Sequence, residues 1–160
     1  MEQLIYVEQN DKDVAVKLSQ CFTLENVKKR TYINALASEL AMKYIAQEGI
    51  SVSDIHNLHD IRVLREEFDI ADVMLPNIYI DVRMIYDENL IFVPKSHFDY
   101  NLVPNVYLVF KYNQSHVEFL GFFKPELINK NNKNEDYYFI EKEKLSDPSG
   151  LKSFIENFKG

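Results

Sequence analysis

Asp72, Asp81 and Arg83 are the residues whose types and spacing could do chemistry. Asp81 and Arg83 stand two apart in the β-rich run IYIDVRMI, so they project from one face of a strand. Asp72 lies on the preceding run, residues 71–75, across the tight-turn pair Pro76-Asn77. If the two runs close as a hairpin, Asp72 comes near Asp81 across the ladder. Two carboxylates converging there suit a hard divalent cation, Mg²⁺ or Mn²⁺, which takes oxygen ligands. Such an ion activates water and stabilises charge building on a phosphate. The plainer alternative is a solvated strand face on which Asp81 and Arg83 pair with each other or with Glu39.

The elements that must position these residues are legible from periodicity. Residues 31–47 form the strongest helix: Ile33, Leu36, Ala37, Leu40, Ala41, Tyr44 and Ile45 recur at three and four, and Gly49 stops the run. Residues 14–22 favour a helix, and residues 53–68 read as a second irregular helix or a long loop with a short helix inside it. Beyond residue 70 the pattern turns to strands, over residues 71–75, 78–85, 90–93, 106–112 and 117–123, with residues 137–140 as a last strand or extended segment. A short amphipathic helix over residues 151–158, with Ser149 as its cap, closes the chain. This order predicts an α/β (α+β) domain, a central mixed β-sheet flanked by helices. No G-x-G-x-x-G or P-loop occurs, and the strands lie too close together for a Rossmann arrangement.

Composition narrows the function classes. A chain of 160 residues, 46% hydrophobic and 27% charged, fits one globular domain spanning residues 1–160. Cys21 is the lone cysteine, which rules out an intramolecular disulfide, fits a reducing compartment and is expected to pack as a small hydrophobe. With no signal-peptide pattern and no apolar stretch near the ~20 residues that span a bilayer, a cytoplasmic location without membrane association is the expectation. The net charge is −7, and neither half of the chain is basic. Tight nonspecific DNA binding would then need a local basic patch or a partner. His56 and His59 are three apart without a third ligand nearby, the histidines read as surface residues, and His97 beside Ser96 lacks the elbow of a nucleophilic triad. Phe119, Phe122 and Phe123 read as core and sheet edge.

The motif ADVMLPNIYIDVR resembles the core of the restriction-endonuclease-like (PD-(D/E)XK) nuclease superfamily: an Asp, a turn, then an acidic residue, one residue, and a basic residue on the next strand. The helix NALASELAMKYIAQEG is similar to that superfamily's first helix, and VPNVYLVFKYNQSHVEFLGFF to its later strands, so the resemblance covers residues 31–125. It implies a restriction-endonuclease-like fold, Asp72 and Asp81 as metal ligands, and Glu39 as an auxiliary carboxylate. The catalytic Lys of the pattern is Arg83 here. Arg stays protonated and is a poor general base, although it can hold a phosphate. Lys95 is a candidate to take over the missing role. The chain also resembles an uncharacterised, largely cyanobacterial family, through Asn34-Ala35-Leu36-Ala37, the D-x-x-L-P run from Asp72 to Pro76, Arg83, Val93-Pro94 and Leu120-Gly121-Phe122. That second resemblance implies no activity.

Together these readings give two expectations of function. One is a Mg²⁺- or Mn²⁺-dependent endonuclease domain acting on DNA phosphodiesters, or its catalytically degenerate relic, with Arg83 contacting phosphate. The other is a noncatalytic protein-interaction or regulatory module on the same fold, with a protein partner or a homodimer. A basic groove beside Asp81 favours the first; burial of Arg83 in an ion pair favours the second.

Overall fold

The computed structural model describes the backbone of residues 4–50, 56–57 and 72–160, and their side chains except those of His56, Asn57 and Asp72. The reading of residues 53–68 as a helix lies outside the described residues, apart from His56–Asn57, which form a short strand. In chain order the elements are β1 (Leu4–Tyr6), α1 (Gln9–Ser19), α2 (Glu25–Gln47), β2 (His56–Asn57), β3 (Asp72–Leu75), β4 (Ile78–Ile85), β5 (Leu90–Pro94), α3 (Ser96–Asp99), β6 (Val106–Asn113), β7 (His116–Phe123), β8 (Tyr137–Glu141) and α4 (Leu151–Asn157).

The alternation read from the sequence sets the central sheet. Six strands run in the order β1-β7-β6-β4-β3-β2. β3 and β4 form the antiparallel hairpin over Pro76-Asn77, β4 and β6 pair in parallel, and β6 and β7 pair antiparallel. The sheet is therefore mixed and the class α+β, as the element order predicts. Asn105 pins the start of the parallel pair: its Oδ1 accepts from the Tyr79 amide at 2.7 Å and its own amide donates to the Tyr79 carbonyl at 2.8 Å. The long link from β4 to β6 leaves the sheet to make β5, which pairs with β8 as a separate two-stranded ribbon.

Each face of the sheet has its own cover. Ile80, Val82, Leu108 and Phe110 pack with Leu36, Leu40, Tyr44 and Ile45 of α2 in one core. Small residues on α2 (Ala35, Ala37, Ser38, Ala41) allow the helix to lie close on the strands. α1 is tied to α2 by Lys43, whose Nζ donates to Asp11 at 2.7 Å and to Glu8 at 3.1 Å. The opposite face carries Ile85, Tyr107, Val109 and Phe123, covered by Ile91 and Val93 of β5 and Ile140 of β8.

Two local devices shape the hairpin β6–β7. The register shifts between Val109 and Phe110, so Phe119 and Phe122 both join the α2 side while Phe123 joins the other. Gly121, at the shift, has φ +142°, and a Cβ there would sit 2.2 Å from the Ser146 carbonyl oxygen. The close approach lets Phe122 and Ser146 exchange backbone hydrogen bonds, of 3.3 and 2.8 Å.

Several element boundaries differ from those read in the sequence. α2 begins at Glu25 and α1 at Gln9, each well before its periodic stripe becomes clean, because polar first turns carry little periodic signal. β1 is an added strand, held by pairing to the edge of β7. Ser149 does not cap α4: Gly150 occupies that position, while Ser149 donates to the Asp147 carboxylate in the turn before it. Cys21 is exposed, since it follows the end of α1 and misses the core. Phe119, Phe122 and Phe123 are core residues.

Candidate functional site

β4 carries the residues that could do chemistry, and the cover on its ribbon side decides their environment. Among the described residues, the β3–β4 ladder runs from Leu75 opposite Ile78 to Asp72 opposite Asp81. The predicted opposition of the two aspartate positions in the ladder is therefore present; the Asp72 side chain lies outside what is described. Beyond that point, among the described residues, Val82–Ile85 of β4 are laddered on the β6 side only. Arg83 bonds within its own strand, its Nε donating to the Val82 carbonyl at 3.2 Å.

The same guanidinium grips Asp81. Nε lies 2.7 Å from Oδ2, and Nη2 donates to Oδ1 at 3.2 Å. Both residues are almost wholly enclosed, Asp81 at 0% and Arg83 at 6% exposure. The solvated strand face expected as the plain alternative is thus corrected in one respect: the pair forms, but it is buried. The ribbon β5–β8 covers this side of the sheet and takes it out of water. Because the one Nε hydrogen goes to Val82, the contact is a single charge-assisted hydrogen bond beside a close charge–charge approach.

Tyr107 stands beside Asp81 in the parallel register. Its hydroxyl is 3.0 Å from Nδ1 of His97, and its ring stacks on Phe123 with centroids 4.8 Å apart. Burial above all, then the neighbouring Asp81 carboxylate, pushes the Tyr107 phenol far above its usual range, while Arg83 opposes the shift. His97, at 1% exposure, is a core histidine and not the surface residue expected from the sequence. Asp81, Arg83, Tyr107 and His97 make one buried polar group under the ribbon. Sequence reasoning missed Tyr107 and His97 as members, because they join through the Asp81–Tyr107 register and the Tyr107–His97 contact, which are tertiary.

Other expected participants lie apart. Glu39 is half-buried on α2, the helix that covers the opposite face of the sheet. It is two residues past Ala37, so roughly 200° around the helix from the Arg30–Asn34–Ala37 line that approaches Arg83. The structure does not bring it to Asp81. Lys95 is also engaged elsewhere, donating to the backbone carbonyls of Asn134 and Glu135, the latter at 2.8 Å.

The described side chains do not suit a divalent cation as they stand. Both Asp81 oxygens face a permanent positive charge, and the described residues contain no group of three or more metal-ligating side chains. What the arrangement does chemically is hold a buried charge pair against the strand backbone. None of the described helices is long and apolar enough to cross a membrane. No family model matches the chain, nor does any curated protein or any solved structure.

Proposed function

We propose that this chain is a noncatalytic interaction or regulatory module on a scaffold resembling the restriction-endonuclease-like core. The single observation that carries the reading is the buried contact between Arg83 and Asp81. At the place where the nuclease pattern needs a carboxylate open to a metal and a lysine able to assist water, this protein has a carboxylate spent on an arginine. Arg83 cannot give up its proton in a protein. A cation approaching Asp81 would have to displace a guanidinium that also donates to the Val82 carbonyl.

A second reading, the metal-dependent nuclease acting on DNA, is favoured by one specific observation: the register that sets Asp72 directly opposite Asp81. It requires Asp81 to exchange Arg83 for Mg²⁺ or Mn²⁺. Calorimetric Mn²⁺ titration of the wild type and Asp81→Ala, with plasmid nicking measured in parallel, separates the two. The module reading expects no saturable binding at about 1 mM Mn²⁺, weaker than ~4 kcal/mol, and no nicking by either protein. Saturable binding that Asp81→Ala abolishes, together with nicking, overturns it.

A further inference from the structure

A cleft of about 360 Å³ lies between the first half of α2, the end of β4 and the ribbon β5–β8. Its size falls in the range of small-molecule sites, roughly 300–1,000 Å³. The described wall contains Lys29, Arg30 and Arg83 and no carboxylate. Each of the four other described clefts has at least one Asp or Glu in its wall. In a chain of net charge −7, an exposed lysine in a described wall without carboxylates makes this concave surface attractive to anions.

The rest of the wall is apolar and aromatic. Phe92 and Tyr137 reach it from the ribbon, and Tyr86 from the end of β4. Phe92 occupies an outward position of β5 and is 38% exposed, between the inward residues Ile91 and Val93. Its ring stands edge-on to Tyr137 at 5.9 Å and to Phe139 at 5.2 Å. Neither described core includes Phe92; its ring packs on its cross-strand partner Phe139 and on Tyr137 and leaves an aromatic surface facing the cleft.

We propose that this cleft binds a small organic anion built on a planar aromatic ring, of the nucleoside monophosphate class. The ring lies against Phe92 and Tyr137, and the anionic group turns toward Lys29. Lys29, exposed at the cleft mouth, supplies the attracting charge, so neither arginine needs to be unengaged. Arg83 adds little net charge because Asp81 compensates it. The inference goes beyond the module reading and does not rest on it, since Asp81 is not part of the wall.

Calorimetry and amide chemical-shift mapping of the full chain with adenosine 5′-monophosphate, in EDTA to exclude metal-dependent binding, test it. Saturable binding is expected, with shifts at Lys29, Tyr86, Phe92 and Tyr137. Adenosine and ribose 5-phosphate should each bind at least about tenfold more weakly, as should the monophosphate to Lys29→Glu and to Phe92→Ala, a loss of ~1.4 kcal/mol. Both replaced side chains are at least partly exposed, and thermal melts verify the fold; Lys159→Glu, an exposed charge change elsewhere, should leave binding intact. No saturable binding at about 5 mM (weaker than ~3 kcal/mol), shifts confined to other surfaces, or equal binding by Lys29→Glu and Phe92→Ala would each overturn the proposal.

Discussion

The two faces of the central sheet are built by different physics. Toward α2 the sheet presents Ile80, Val82, Leu108 and Phe110 to a helix of small and aliphatic residues, and area removed from water does the work. Toward the ribbon, the same strands present Asp81, Arg83, Tyr107 and Val109, one residue out of phase. There an ion pair and a Tyr–His contact sit inside a second, smaller apolar cluster. The first face depends on shape and volume, and swaps that conserve both cost least. The second depends on partners, because a buried charge is costly once its partner is removed.

The sharpest way to break this contrast is Asp81→Ala. Removing the carboxylate beside a buried guanidinium should cost about 3–5 kcal/mol in denaturant unfolding. The pair replacement Asp81→Leu with Arg83→Met should recover most of that loss, since a matched apolar pair avoids the uncompensated charge. A single-variant loss below about 1 kcal/mol would place the pair among solvent-exposed bridges instead. On the other face, Leu108→Ala should cost about 2–5 kcal/mol through lost burial and a cavity. Its cost should not change between low and high salt, and a marked salt dependence would erase the distinction between the faces.

The smallest expected effect is the most diagnostic for the polar face. Tyr107→Phe removes the hydroxyl paired with His97 and should cost about 1–2 kcal/mol at neutral pH. Burial raises the Tyr107 phenol above its ordinary value of 10.0. Above that pH the unfolded chain releases the proton while the folded chain retains it. The stability contribution is therefore complete below pH 10.0 and falls as pH rises, by up to ~1.4 kcal/mol per unit. Tyr107→Phe should flatten that alkaline decline in urea melts between about pH 10 and 11; an unchanged slope would assign it to other groups.

How much of this was legible depends on whether the information is local. Hairpin β3–β4 could be read from Pro76-Asn77 and the flanking alternation, and with it the opposition of Asp72 and Asp81, because a two-residue turn fixes register. α2 and Gly49, with its φ of +84°, were equally legible, since a helical stripe and a left-handed stop are short-range properties. The second core was not. Leu90–Pro94 and Tyr137–Glu141 are far apart in sequence, and nothing in either run says that the other pairs with it.

The sequence by itself determined which residues of β4 share a face, since a strand alternates with period two wherever it is placed. It also determined the class of the fold and the absence of an intramolecular disulfide. Only the tertiary structure decided that Asp81 and Arg83 are buried and committed to each other. Burial is a property of the cover, and the cover is a ribbon whose strands meet across more than forty residues of chain, from Pro94 to Tyr137.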